Sequence, residues 1–314
     1  MVSSAPFQLV TAFSSNVFCG NPAVVVFLDP DSVPPQTLKG ISANFNQPMT
    51  AFVQPPEAPA SSTEGPITIR TRIRYVTFAG VDIRLCGHAS LAAAHAIISS
   101  PSFRDLNVGL VEFVTHVDKL AVPVKVGSGG LLEMSLPAWR PEAFDDQERE
   151  RISAIVAHAF GREISIVDVK SGGPNFKHGI IVEIASEDRL AETDVNRSVF
   201  AETGYSMNIV TSLPPPKTAN TNSIDEEWIY RMFSQDLPGG EDSVCGSAQC
   251  ILAPYWYEKK GLALGREVVA NPVSARGGIV RVSLSGKEAA SKDGADTVEI
   301  RGSAAVLAKG ECYY

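Results

Sequence analysis

Leu85-Cys86-Gly87-His88-Ala89-Ser90 opens an apolar run that continues to about Ser99, and the chain holds a second copy of the pattern. Cys245-Gly246-Ser247-Ala248 opens another apolar run, Gln249 to Tyr257. Ahead of each turn we read a short strand, Val81 to Leu85 in the first copy and Ser243-Val244 in the second. Glycine permits a tight backbone at Cys-Gly, and the first N–H groups of a following helix lack intrahelical partners and point outward. Two such helix starts facing one another would bind an anionic group, with side chains beside it for proton transfer. The segment from His88 to Ser99 is Ala-rich and apolar almost all round, so it belongs inside other structure.

The flanking segments supply that structure. Phe7 to Phe13 alternates apolar and polar residues, as a half-buried strand does. Ala23 to Leu28 reads as a buried strand after the turn Cys19-Gly20-Asn21-Pro22, and Pro34 to Asn46 as a short helix with Leu38, Ile41 and Phe45 on one face. Thr50 to Val53 is a strand, Gln54 to Pro66 a surface loop. Ile67 to Tyr75 alternates so that Arg70, Arg72 and Arg74 share what we read as a solvated face. Val108–Val114 and Lys119–Val126 form a hairpin, and Gly127-Ser128-Gly129-Gly130 is a boundary or tight connection. A strand at Leu131–Leu136, a helix over Pro141–Phe160 and strands at Ile164–Val169, Gly179–Ile184 and Ile209–Thr211 follow. A loop from Leu213 to Asn222 then precedes Trp228–Phe233, with final strands at Gly278–Leu284 and Thr297–Ile300 and a segment from Ser303 to Leu307. The second half thus repeats the first in outline. We expect a sheet wrapped round an apolar helix, made twice. Residues 1–126 form the first, with 297–314 a candidate addition to it, and residues 131–296 the second.

Composition narrows the function. Of 314 residues, 44% are hydrophobic and 20% charged, which is enough for a packed core. A net charge of -8 without a Lys/Arg cluster disfavours nucleic acid. No apolar run approaches the roughly 20 residues of a membrane span, and residues 1–6 lack the basic and apolar segments of a signal peptide, so a cytoplasmic location is expected. Five scattered cysteines give neither a disulfide framework nor a zinc pattern, and phosphate-binding glycine loops are absent.

These residues resemble the phenazine-biosynthesis PhzF-like family of the diaminopimelate epimerase-like superfamily. The resemblance is carried by Cys19-Gly20-Asn21-Pro22-Ala23, Thr50-Ala51-Phe52-Val53, Leu85 to Ala92, Glu241-Asp242 with Gly246-Ser247-Ala248, Ala253-Pro254-Tyr255-Trp256, Ala275-Arg276-Gly277-Gly278 and Ile300 to Ala304. It implies an α+β fold of two similar domains, each a mixed sheet rolled into a barrel around a central helix, with a site in the cleft between them, proton movement on carbon, no cofactor or metal, a small-molecule substrate and often a homodimer. Two positions depart from the family pattern. Met49 stands where the family usually has its acid–base glutamate, and a thioether carries no proton near neutrality. Cys245 stands where Thr is usual, giving with Cys86 the thiol pair of racemase-like relatives. A thiol at a helix N-terminus can have a lowered pKa and serve as a carbon base.

The expected catalytic residues are therefore His88, Asp242, Cys86 and Cys245, with Asn21, Met49, Gly87, Gly246 and Ser247 binding substrate. Each has a plainer reading: the thiols as small packed residues, Met49 as core filler, Asp242 and Ser247 as caps. Three functions fit. The first is an isomerase or epimerase acting by proton transfer. The second is a cyclase or pericyclase of specialised metabolism, with Met49 as an apolar wall of an accessible cleft. The third is a degenerate family member that only binds a ligand.

Overall fold

The computed structural model describes residues 3–58, 65–216, 226–286 and 296–314. The loops read over Gln54–Pro66 and Leu213–Asn222 fall partly outside these residues. The chain divides into two compact units, residues 1–134 with 301–314, and residues 135–300.

The first unit contains β1 (Ser4–Ala12), β2 (Asn21–Val26), α1 (Pro35–Phe45), β3 (Met49–Val53), β4 (Ile67–Thr77) and β5 (Asp82–Ile83). It continues with α2 (Gly87–Ile98), β6 (Val108–Thr115), β7 (Ala121–Val126) and the start of β8 (Leu132–Ala138). The second holds β9 (Glu142–Ala143), α3 (Asp146–Phe160), β10 (Ile166–Ser171), β11 (Gly179–Ile184), β12 (Met207–Ser212), β13 (Glu226–Phe233) and β14 (Glu241–Asp242). After these come α4 (Gln249–Lys260), β15 (Glu267–Pro272), β16 (Val280–Ser285) and β17 (Asp296–Gly302), and β18 (Ala304–Tyr313) closes the chain in the first unit.

The two units share one wiring. In the first the strand order is β18-β1-β2-β3-β4-β6-β7-β8. In the second it is β9-β10-β11-β12-β13-β15-β16. From β1 and from β10 alike, successive pairings are antiparallel, parallel, antiparallel, parallel, antiparallel. The fold is α+β, a mixed sheet curled round one helix, made twice. In the first unit α2 touches β18 at one end of the order and β7 near the other, so the sheet must bend about it. In the second, Trp256 of α4 donates its indole N–H to Thr211 Oγ1 on β12 at 3.1 Å, and the Tyr255 and Tyr257 hydroxyls reach Asp168 on β10 and the Val282 carbonyl on β16.

Sequence accounts for these layers. In β2 and β3, Val24, Val26 and Phe52 pack under Leu38 and Ile41 of α1, and the residues between them face α2. Burial on both faces explains why β2 has no alternation. In the second unit Ile152 and Val156 of α3 cover the outer face of Val169, Ile180, Val182 and Val210. Pro254 interrupts α4 and cannot donate to the Cys250 carbonyl, and the Trp139 N–H takes that carbonyl at 2.8 Å.

Several expectations are corrected. The strands before the two Cys-Gly turns are only the two-residue rungs β5 and β14, one at 82–83 and the other at 241–242. The acidic helix starts at Asp146, because Asp145 accepts the Glu148 N–H at 2.8 Å and Glu142–Ala143 pairs with β10. β15 was not foreseen. Arg74 is not solvated: its side chain is 8% exposed and paired with Asp82.

Candidate active site

In the first unit β4 turns back through β5 and delivers the chain to α2 with Cys86 as N-cap, extended at φ -132°. Cys86 is buried, and its Sγ lies 3.3 Å from His88 Nδ1. The protein packed around His88 pushes its imidazole pKa down to about 4, so the ring is neutral at pH 7. Behind the thiol, Ser90 Oγ donates to the Cys86 carbonyl at 2.8 Å. That use of its proton makes the Tyr75 hydroxyl the donor in their 2.6 Å contact. Gly87 is the first helical residue. Asn21 and Met49 lie on the α2 side of the sheet: Met49 is opposite Ala23 and Thr77, and Asn21 is two residues before Ala23 on the same face. Both are buried, Met49 at 6% exposure, so the expected open apolar wall is instead a covered side chain.

In the second unit the equivalent turn carries different chemistry. Cys245 is 3% exposed, with its Sγ 3.4 Å from Ser247 Oγ. Asp242 Oδ1 accepts the Val244 N–H at 3.2 Å, and the Asp242 carboxylate also stands against the Cys245 thiol. Burial first, then the Asp242 charge, push the thiol pKa well above its ordinary value, outweighing the Ser247 and Ala248 donors that lower it. The expectation of a helix-lowered thiol is therefore corrected for Cys245. The physical reason is visible in the backbone, because α4 starts at Gln249, with Gly246, Ser247 and Ala248 forming the turn before it. The Tyr230 hydroxyl donates to the Cys245 carbonyl at 3.1 Å.

Counting from the thiols, His88 matches Ser247 and Ile83 matches Asp242. One turn thus pairs a thiol with imidazole and the other pairs a thiol with carboxylate. Each turn is pinned from both sides of its strand. On the outer face Arg74 holds Asp82 through Nε at 2.6 Å and Nη2 at 2.9 Å, and Arg231 holds Glu241 at 2.7 and 2.9 Å. On the inner face Tyr75, through Ser90, and Tyr230 directly secure the carbonyl of the cysteine. Sequence reading missed these four residues. Superposing Ile73-Arg74-Tyr75 on Tyr230-Arg231-Met232 was the available signal for the two arginines; it sets Tyr75 against Met232 and so passes over the tyrosines.

Among the described residues no group of three or more His, Cys, Asp or Glu side chains is placed to hold a metal ion, and no helix is long and apolar enough to cross a membrane.

The fold is shared with solved structures that include a predicted epimerase of Pseudomonas aeruginosa, 19% identical with a TM-score of 0.65 over 98% of this chain and 99% of the other. Residues 10–310 match the family described as phenazine biosynthesis-like protein, and the chain belongs to that family. It is similar to an uncharacterised isomerase of Halalkalibacterium halodurans, 28% identical over 90% of this chain and 91% of the relative. A putative phenazine biosynthesis PhzC/PhzF protein of Clostridium difficile is 30% identical, with a TM-score of 0.70 over 98% of both chains. A PhzF-family protein of Enterococcus faecalis shares the fold at a TM-score of 0.75, with 24% identity over 99% of this chain and 100% of the other.

Proposed function

We propose that the protein is a cofactor-independent isomerase that moves a proton on an activated carbon of a small metabolite. The observation that carries this reading is the Cys86 Sγ–His88 Nδ1 contact of 3.3 Å at the start of a buried helix. Neutral His88, beside Cys86, accepts the substrate proton. Cys245, kept as a thiol by burial and by Asp242, is in the form that donates one. Solvent returns both groups to their starting protonation states. The free N–H groups at the start of α2 favour a substrate with an anionic group. With no glutamate at Met49, the proton must pass through these residues.

The test is turnover in deuterium oxide against a panel of small carboxylates bearing an acidic C–H, read by mass spectrometry and NMR. Deuterium at the rearranged carbon, lost in His88→Gln and in Cys245→Ala, supports the reading. Product formed without solvent deuterium would overturn it in favour of the cyclase. Tight metabolite binding without turnover would favour the degenerate binder.

A further inference from the structure

The contact between Asp242 and Cys245 depends on a stretch of chain that no helix makes rigid. Cys86 and His88 share the first turn of α2, Cys86 as N-cap and His88 inside the helix. Asp242 and Cys245 lie ahead of α4, which begins only at Gln249, so the turn between them sets their separation. Side chains hold that turn at every second residue from Gly239 to Cys245. Arg197 donates to the Gly239 carbonyl at 3.1 Å, Arg197 and Arg231 hold the Glu241 carboxylate, and Tyr230 donates to the Cys245 carbonyl. The remaining tie, at Ser243, comes from the loop between β15 and β16. Ser274 Oγ donates to the Ser243 carbonyl at 2.7 Å and accepts the Gly277 N–H at 3.1 Å. One hydroxyl thus closes the loop that carries Ala275-Arg276-Gly277-Gly278 and docks it on Ser243. That residue is the one spanned by the bond from the Val244 N–H to Asp242 Oδ1.

We propose that Ser274 is a positioning residue, which holds the Ser243 carbonyl and so keeps the Asp242 carboxylate against the Cys245 thiol. The two units differ at this place in a way that fits the role. The Val273 N–H donates to the Tyr230 carbonyl at 2.9 Å as the His116 N–H donates to the Ile73 carbonyl at 2.8 Å, which sets Ser274 against Val117. Val117 has no hydroxyl, and Thr115 Oγ1 closes the loop there by donating to the Val117 carbonyl and accepting the Leu120 N–H. The hydroxyl is therefore found where the paired groups are joined by a turn, and an apolar residue replaces it where they share a helix. The groups that face the Cys245 thiol are the Asp242 carboxylate, the Ser247 and Tyr230 hydroxyls and the Ala248 N–H. Asp242 is the charged one among them. With the tie to Ser243 cut, the turn relaxes, the carboxylate moves off and the thiol ionises more readily.

The test is a double-mutant cycle on the full chain without substrate. Its readout is the rate of Cys245 alkylation by iodoacetamide at roughly pH 8, followed by peptide mass spectrometry. S274A should quicken alkylation, and S274T, which keeps the hydroxyl, should stay within about twofold of the parent. S274V has the shape of S274T without the hydroxyl and should behave as S274A does. The factor by which Asp242→Asn quickens alkylation should be about threefold or more smaller in S274A than in the parent, because the carboxylate has already left the thiol. Circular dichroism checks that each variant is folded. Alkylation of Cys245 in S274A and S274V at the rate of the parent overturns the proposal. So does an Asp242→Asn factor that is the same in both backgrounds, which is what a hydroxyl that only packs its own loop would give. In turnover, S274A should lower kcat with little change in KM. That consequence rests on the proton-transfer reading, whereas the cycle does not. A cycle that behaves as expected while no substrate exchanges deuterium would sink that reading and support the positioning role by itself.

Discussion

Arg231 grips Glu241 through two hydrogen bonds, with both side chains 6% exposed, and Glu241 is the residue immediately before Asp242. The same guanidinium also donates to the Thr193 carbonyl at 2.7 Å and lies 5.0 Å over the Phe233 ring. Removing Glu241 strands the buried Arg231 charge, whereas removing Arg231 leaves Glu241 a second partner, Arg197 at 3.2 Å. Glu241→Ala should cost about 3–5 kcal/mol in urea unfolding and Arg231→Met less, with the double variant costing much less than their sum. In the first unit Asp82 is 29% exposed, so Arg74→Met should cost less than Arg231→Met. Equal costs would mean burial does not govern these clamps.

His88 gives stability a pH dependence of known sign. Its folded pKa is about 4, against roughly 6.5 for an unfolded histidine. Below pH 6.5 the unfolded chain takes up a proton that the native ring refuses. Stability should therefore fall between pH 6.5 and pH 4, and His88→Gln should flatten that part of the curve. His95 and His178 are lowered by burial too and add the same sign. NMR titration of the His88 ring checks the value directly, and a midpoint near 6.5 would show that the ring is not desolvated.

Asp242 and Cys245 make a second test. The carboxylate raises the thiol pKa, so Asp242→Asn should lower it and increase the thiolate fraction. Alkylation of Cys245 by iodoacetamide at pH 8, followed by peptide mass spectrometry, should quicken relative to the parent protein. Cys19, less buried, provides an internal reference whose rate should not change. An unchanged Cys245 rate would show that burial alone holds the thiol.

How far the fold could be read ahead of the structure depended on where the deciding contacts lie along the chain. α2 was legible because Ala89 to Ala94 is apolar on every face, which only a surrounded helix tolerates. The onset of α4 was misplaced because Cys245-Gly246 looks like Cys86-Gly87, although the backbone makes a further turn before Gln249. Arg74 was misjudged because alternation assigns a face and not a depth: Arg70, on that face, is solvated, and Asp82 draws Arg74 inward. The two thiols could be found by their repeat. The acidities of Cys245 and His88 could not, because those depend on burial, on Asp242 standing against Cys245 and on the packing around His88.

Met49 stands where the family resemblance leads us to expect a glutamate, and its surroundings decide what a carboxylate there would do. Its side chain is 6% exposed at the start of β3, opposite Ala23 and Thr77 on the side of the sheet that faces α2. A glutamate introduced there meets a strand pair with no cationic side chain at the two opposed positions. Desolvation raises its carboxyl pKa above the ordinary value of about 4.3. At pH 7 the folded protein must either bury the charge or hold the proton, and both cost free energy. Met49→Glu should therefore lose about 3–5 kcal/mol at pH 7. A raised folded pKa means that the native state binds the proton more tightly than the unfolded one. The loss should shrink as pH falls from the folded pKa toward 4.3, so thermal melts from pH 7 to pH 5 should converge on those of the parent protein. A variant as stable as the parent at pH 7 would show instead that water reaches position 49. Exchange of substrate C–H in that variant, measured in deuterium oxide, would then show whether a carboxylate there can take over the proton transfer assigned to His88.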